Sequence, residues 1–232
     1  MERYIDMKEV SDGHLYDIND MVRADCHGCE GCSDCCYGMG ASIVLDPLDI
    51  TRLCKALNTD FNSLLAQQLI ELNVQEGLIL PNLRMHPQKG CCTFLGEDGR
   101  CTVHESRPGY CRIFPLGRIY ENHRFRYFLQ INECSCGTRS KIKVRKWIDI
   151  PDYRENERFI IQWHYLLKDI SGHLNGMPEE NPELRKEISM YLLNTFYIFP
   201  FNPEKDFYAQ FNARLQVCRA LMRDHYQMNI WE

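Results

Sequence analysis

The sequence predicts an α+β fold: a compact, turn-rich cysteine-cluster region with short strands and a hairpin, flanked by amphipathic helices, three of them C-terminal. Two observations support this. Beyond Ser140 the apolar residues recur with the period of helices. Between residues 74 and 139, short apolar segments are separated by glycine and proline, as in small sheets and turns. We therefore expect a cysteine-cluster, metal-binding region over 1–140 and a C-terminal helical region over 141–232, packed on it.

The composition limits the class of protein. The chain has 232 residues, 44% of them hydrophobic, enough for a core that needs no disulfide bonds. The N-terminal MERYIDMKEV is charged and lacks the apolar segment of a secretory signal. No apolar run approaches the ~18 residues that cross a bilayer. We therefore expect a cytoplasmic protein with no membrane partner and with reduced thiols. The net charge of −5 argues against a nucleic-acid partner.

The first half of the chain carries two predicted helices. In DPLDITRLCKALN, Asp46 is a candidate N-cap and Pro47 occupies the first helical position. Four residues of this segment fall on one helical face: Ile50, Leu53, Cys54 and Leu57. A second helix is predicted for the segment that follows, DFNSLLAQQLIEL.

A β-hairpin is predicted from LGRIY, ENH and RFRYFLQI, because Phe125, Tyr127 and Leu129 alternate with polar positions. The C-terminal third carries three amphipathic stripes, the last two preceded by Asn-Pro-Glu start signals at Asn181 and Asn202. The stripes are Phe159, Trp163, Leu166, Ile170 and Leu174; Leu184, Ile188, Tyr191 and Leu192; and Phe207, Phe211, Leu215, Cys218 and Met222.

The cysteines are the most distinctive feature of the sequence. There are thirteen, and CHGCEGCSDCC places five of them within Cys26–Cys36. Cys54 and Cys218 fall on predicted helical stripes, where a thiol behaves as a small apolar group. The other eleven all precede residue 137, in turn-rich sequence: Cys26, Cys29, Cys32, Cys35, Cys36, Cys91, Cys92, Cys101, Cys111, Cys134 and Cys136.

This pattern predicts a metal site. A gap of two residues lets two thiolates bind one metal, and the tandem run is followed by CCTFLGEDGRC, RPGYC and CSC. The alternative, a set of unrelated thiols, would leave many oxidisable groups close together. Four thiolates around Zn²⁺ or a [4Fe–4S]²⁺ core leave a net negative charge that requires nearby cations. Five arginines follow the cysteines and are candidates: Arg107, Arg112, Arg118, Arg124 and Arg126.

The adjacent pairs, Cys35–Cys36 and Cys91–Cys92, add a geometric expectation. Neighbouring side chains in extended backbone point to opposite sides. We therefore expect the two members of each pair to serve different ions, or one member to face away. Four histidines lie near the cysteines in sequence: His27, His86, His104 and His123. Each is a candidate to replace a thiolate as metal ligand, or to hydrogen-bond to a ligand without binding the metal itself.

These segments resemble the YkgJ-like cysteine-cluster proteins, a CxxCxxCC family described as zinc- or iron-chelating. The resemblance runs from Cys29 to Trp147, and Arg107, Pro108 and Arg112 match the RP..CR element of the family. It implies eight metal ligands, which make two four-thiolate sites: Cys29, Cys32, Cys35, Cys36, Cys92, Cys101, Cys111 and Cys134. The chain departs from the pattern by three further cysteines, Cys26, Cys91 and Cys136, which leaves the last ligand open between Cys134 and Cys136.

The resemblance implies a cysteine-cluster metal-binding protein. The spacing within Cys26–Cys35 favours iron or an iron–sulfur cluster, with zinc as the alternative. The cluster is also similar to that of flagellin lysine-N-methylase, which suggests a methyltransferase-like enzyme using S-adenosylmethionine, although no G-x-G-x-x-G follows a strand. A third hypothesis is a zinc-dependent module whose C-terminal helices bind a protein partner.

Overall fold

The computed structural model describes residues 6–26, 32–134, 137, 139–177 and 181–231. Within these ranges the α-helices are α1 (Met7–Val10), α2 (Pro47–Leu57), α3 (Phe61–Ala66), α4 (Gly109–Ile113), α5 (Val144–Ile148), α6 (Tyr153–Asn175), α7 (Pro182–Leu193) and α8 (Phe207–Asp224). The strands are β1 (Ser11–Tyr16), β2 (Met21–Asp25), β3 (Ile70–Gln75), β4 (Leu78–Leu83), β5 (Leu116–Glu121), β6 (Arg124–Gln130) and β7 (Ser140–Lys143).

The described strands form small antiparallel sheets with the orders β1-β6-β5, β2-β7 and β3-β4, so the predicted α+β class is confirmed. The chain divides into two compact units that interleave in the sequence. The cysteine unit comprises residues 2–43 and 84–153, and the helical unit comprises 44–83 and 154–232. Every described cysteine outside α2 and α8 lies in the cysteine unit. The sequence-based division after residue 140 stays a prediction.

In the cysteine unit, the predicted hairpin is confirmed as β5 and β6. The two strands pair in register from Leu116 opposite Leu129 to Glu121 opposite Arg124. Asn122 and His123 connect them, both with positive φ, 50° and 57°. A two-residue turn of this handedness matches the twist of the paired strands.

In the helical unit, α2 begins as the sequence predicts. The Asp46 side chain accepts a hydrogen bond from Asp49 N at 2.8 Å, and Asp49 accepts one from Asp46 N at 3.2 Å. This reciprocal capping box satisfies amides that have no partner inside the helix. The predicted apolar face is only partly buried, because Leu53 is enclosed whereas Leu57 is exposed.

The second predicted helix is too long. Helix α3 ends at Ala66, and Ile70 begins a strand rather than a further helical turn. Gln68 has φ 58°, which is incompatible with helix continuation. The residues that follow pair with β4 across a tight turn at Glu76 and Gly77, so cross-strand hydrogen bonds replace the helical ones.

The three C-terminal helices are confirmed as α6, α7 and α8, and the predicted stripe of α6 is buried along its whole length. Aromatic rings dominate this core: Phe159 and Phe211 meet edge to face at 4.6 Å between ring centroids. Helix α8 begins later than its Asn-Pro-Glu signal suggests. Its N-cap is Asp206, which accepts from Ala209 N at 2.7 Å. No helix in the described part of the chain is long and apolar enough to cross a membrane.

Candidate metal centre

Cys35 and Cys36 lie in a short 3₁₀ turn, Asp34–Cys36, in the cysteine unit. The amide of Cys36 donates to the carbonyl of Ser33 at 2.8 Å, which closes the turn. The two thiol sulfurs are 4.0 Å apart. The expectation that these neighbours point to opposite sides is therefore wrong, because it assumed extended backbone. Both sulfurs face one site.

The segment with Cys91 and Cys92 pairs with the end of this turn. Cys92 N donates to Cys36 O at 2.7 Å, and Cys91 forms an antiparallel bridge with Tyr37. These two contacts hold the backbone of Cys92 beside that of Cys36.

A tight turn after Met85 holds the Cys91 segment from its other side. His86 N donates to Cys91 O at 2.6 Å, and Gly90 N donates back to His86 O at 2.8 Å. Gly90 has φ 63°, a conformation that glycine adopts without steric cost. Met85 bridges to Cys92, which leaves both cysteines fixed between two partner segments.

Cys101 reaches the same region through a compact loop. It forms a bridge with Leu95, and Thr102 N donates to Phe94 O at 2.8 Å. Phe94 N also donates to the sulfur of Cys92 at 3.4 Å. A backbone N–H that donates to a cysteine sulfur stabilises the negatively charged thiolate. Sequence patterns cannot reveal this contact, because the donor is a backbone amide.

The electrostatics group four of these cysteines together, and we call Cys35, Cys36, Cys92 and Cys101 the thiol cluster. The hydrogen bond with Cys36, followed by burial, raises the pKa of Cys35. Burial raises the pKa of Cys92 to about 11, and the charges of Cys101, Cys35 and Cys91 add to it. The pKa of Cys101 is raised by burial and by Cys35. Charge acts over longer distances than a hydrogen bond, so these effects place the four thiols in one region without placing them in contact.

Two of the remaining predicted ligands, Cys32 and Cys134, influence each other. Burial raises the pKa of the Cys32 thiol, and the charge of Cys134 adds to that rise. Cys111 lies half-buried in α4. Cys29 lies outside the described residues, as does Cys136. Of the extra cysteines, Cys26 and Cys91 are buried.

The donor chemistry of the thiol cluster fits a soft metal ion. Thiolate sulfurs bind zinc and iron, and two sulfurs bound to one tetrahedral zinc ion are roughly 3.8 Å apart, close to the separation of Cys35 and Cys36. Within the described ranges, however, no three histidine, cysteine or acidic side chains converge closely enough to hold an ion. A bound ion would have to draw the thiols of Cys92 and Cys101 inward.

Cys54 and Cys218, the cysteines of α2 and α8, lie in the helical unit and are not predicted metal ligands. Cys218 is fully buried in α8, and burial raises the pKa of its thiol to about 12. Its predicted role as a packing residue is confirmed. Cys54 lies in α2 but is only half-buried, and burial raises its pKa to about 11.

The chain is similar to a known protein family. The sequence model of the family described as "CxxCxxCC: Putative zinc- or iron-chelating domain" matches residues 28–138. This range includes the whole thiol cluster. No curated protein and no solved structure matches the chain.

Proposed function

We propose that this chain chelates one soft metal ion through the four thiolates of the thiol cluster, in agreement with the match of residues 28–138 to a family model described as zinc- or iron-chelating. The observation that carries this proposal is the 4.0 Å separation of the Cys35 and Cys36 sulfurs. That distance suits two ligands of one tetrahedral ion. In a [4Fe–4S] cluster each thiolate binds its own iron, so neighbouring cysteines would have to be further apart. We therefore propose zinc as the ion, with a single iron as the alternative.

The other four predicted ligands hold a second ion in this proposal. They are Cys29, Cys32, Cys111 and Cys134. The support comes from Cys134, whose charge adds to the burial that raises the pKa of Cys32. Structural zinc sites with four cysteines combine ligands from separate segments of the chain, as Cys32 and Cys134 would here.

Zinc bound at the thiol cluster would supply cross-links between three chain segments. These segments contain the 3₁₀ turn at 34–36, the paired residues 91–92 and the loop that ends at Cys101. They are short and rich in turns, and they carry little regular hydrogen bonding of their own. Metal-binding free energy in such regions contributes directly to folding.

Metal analysis and X-ray absorption of anaerobically purified protein test the proposal. We expect zinc or iron, surrounded by sulfur at about 2.3 Å and without a neighbouring metal atom. A brown protein that absorbs near ~400 nm and has iron–iron scattering would contradict the mononuclear site. A protein that retains no metal after gentle purification and takes up none on titration would contradict the function itself.

A further inference from the structure

The buried face of the β5–β6 hairpin carries an arginine. Successive side chains of a strand point to opposite faces, so Leu116 and Arg118 lie on the same face of β5. Opposite them across the hairpin are Leu129 and Tyr127, and residues paired in this way share a face. Leu116, Tyr127 and Leu129 are all buried. Arg118 therefore occupies a position at which the pattern of the sheet predicts an apolar side chain.

Aromatic rings lie close to the guanidinium of Arg118. Its carbon Cζ is 5.1 Å from the centroid of the Phe125 ring and 6.0 Å from that of Tyr127. These two rings meet edge to face at 5.3 Å between centroids, and the centroid of the Tyr120 ring is 5.6 Å from that of Phe125. We call Arg118, Tyr120, Phe125 and Tyr127 the arginine site. The ring faces attract the cation and fix its place, but they do not neutralise its charge.

The arginine site carries one positive charge. Burial lowers the pKa of Arg118, but the charges of Tyr120, Tyr127 and Tyr110 raise it by more, so the guanidinium stays protonated. Burial raises the pKa of Tyr120, although Arg118 opposes this rise, so its phenol is uncharged at neutral pH. None of the four residues of the site is acidic. Within the described ranges no ion pair joins Arg118 to a carboxylate, so its charge is not balanced there.

One donor of this guanidinium is buried without an acceptor. The Nε atom of Arg118 has no hydrogen-bond partner among the described residues. A buried N–H that lacks an acceptor costs free energy, and so does a charge held away from water without a partner. Arg124 and Arg126, on strand β6 of the same hairpin, avoid both costs because they are exposed. An anion bound at Arg118 would remove both costs.

We propose that the arginine site binds the carboxylate of a ligand. A guanidinium presents Nε–H and one Nη–H side by side, which matches the two oxygens of a carboxylate. One carboxylate balances the single positive charge, whereas a phosphate dianion would bring a second negative charge to the electron-rich ring faces. Arg118 and Tyr120 are only partly enclosed, so a ligand reaches them from solvent. The inference does not depend on the proposed metal site.

Two probes present a carboxylate from different sources, and calorimetry on the complete chain as purified measures their binding. Benzoate represents a small carboxylic acid, and its flat ring can pack against the aromatic rings of the site. A short peptide with one glutamate and both ends blocked represents an acidic side chain of a partner protein. Tighter binding of benzoate assigns the site to a small acid, and tighter binding of the peptide assigns it to a protein. A folded wild type that binds neither probe would overturn the inference.

Neutral and doubly charged ligands test the role of charge. Benzamide and the corresponding glutamine peptide keep the shape of the two probes and lose the charge. We expect each to bind at least about tenfold more weakly than its charged counterpart, because hydrogen bonds between charged groups are the stronger ones. Inorganic phosphate should bind more weakly than the preferred probe. Equal binding of the neutral counterpart, or a preference for phosphate, would contradict a carboxylate site.

Arg118→Met tests the arginine directly. Methionine removes the charge and places an apolar chain on the buried face. We expect the preferred probe to bind this variant about tenfold or more weakly than the wild type. The matched control is Arg126→Met, which removes an exposed guanidinium that pairs with Glu121 at 3.4 Å. The control should bind the probe within about twofold of the wild type. Wild-type affinity in Arg118→Met would overturn the inference.

Thermal unfolding distinguishes a binding residue from one that only supports the sheet. Without ligand, Arg118→Met should unfold at the wild-type temperature or above it, because the variant no longer encloses an unbalanced charge. The preferred probe should raise the unfolding temperature of the wild type and of Arg126→Met, but not that of Arg118→Met. A probe that stabilises Arg118→Met as much as the wild type would contradict binding at this arginine.

Arg118→Lys keeps the result decisive if Arg118→Met does not fold. Lysine retains the charge but cannot present two adjacent donors to a carboxylate. We expect Arg118→Lys to fold and to bind the preferred probe more weakly than the wild type. Wild-type affinity in a folded Arg118→Lys would contradict the paired donation from Nε and Nη.

Discussion

The sulfurs of Cys35 and Cys36 lie 4.0 Å apart on one side of a 3₁₀ turn, although the two residues are adjacent in sequence. In a 3₁₀ turn, neighbouring side chains are rotated by about 120° instead of the ~180° of a strand, so the two sulfurs can approach each other. Cys92 joins them because its amide binds the carbonyl of Cys36. Backbone hydrogen bonds, rather than spacing alone, therefore assemble the thiol cluster.

Metal binding should release protons. Burial holds the pKa of Cys92 near 11 and raises that of Cys101, so these thiols are protonated at neutral pH in the metal-free protein. Metal binds the thiolate, so binding at the thiol cluster releases the protons of Cys92 and Cys101, and the affinity for metal falls as the pH is lowered. Calorimetry at neutral pH in two buffers with different ionisation enthalpies measures this release. A release near zero would mean that the thiols are already ionised, contrary to their burial.

Cys218→Ser should weaken the fold without affecting metal content. The substitution places a hydroxyl in the closed core of α8, where burial of a polar group costs about 1–3 kcal/mol. The matched control is Cys54→Ser, which should cost less because Cys54 is half-buried. Thermal unfolding and metal analysis of the two variants check this. Loss of metal from either variant would place a ligand in the helical unit and contradict the assignment.

Removal of metal should expose the cysteine unit to protease and spare the helical unit. The segments at 34–36 and 91–101 depend on their ligands, whereas the helices carry continuous apolar faces. Because the units interleave, residues 44–83 should stay protected together with 154–232. Limited proteolysis with and without chelator, followed by mass spectrometry, locates the cuts. Early cuts within α6 or α8, with 84–134 protected, would contradict the prediction that the cysteine unit depends on metal and the helical unit does not.

Elements defined by local signals could be predicted from the sequence. Asp46 and Pro47 identify the start of α2, because capping involves residues only a few positions apart. The alternation through Phe125 and Tyr127 identifies the hairpin, since β5 and β6 adjoin in the chain. The apolar stripe from Phe159 to Leu174 identifies α6, a helix of 23 residues. In each case the stabilising contact lies within the segment or beside it.

Features that depend on distant contacts could not be predicted in this way. The direction of Cys35 and Cys36 follows from a turn that pairs with residues more than fifty positions later. Helix α3 does not continue to Ile70, because Ile70 and the residues after it pair with β4. In both cases the deciding contact lies far along the chain, so the spacing of residues within one segment does not reveal it.

The metal content of three variants tests the central claim most directly: Cys35→Ser, Cys36→Ser and the double variant. If both thiols bind one of two ions, each single variant should lose about half of the metal, and the double variant should lose no more. Metal is measured by mass spectrometry against protein concentration, with Cys218→Ser as control. Loss of nearly all metal from the double variant would mean that the pair is divided between two ions, and full metal content in Cys36→Ser would remove Cys36 from the site.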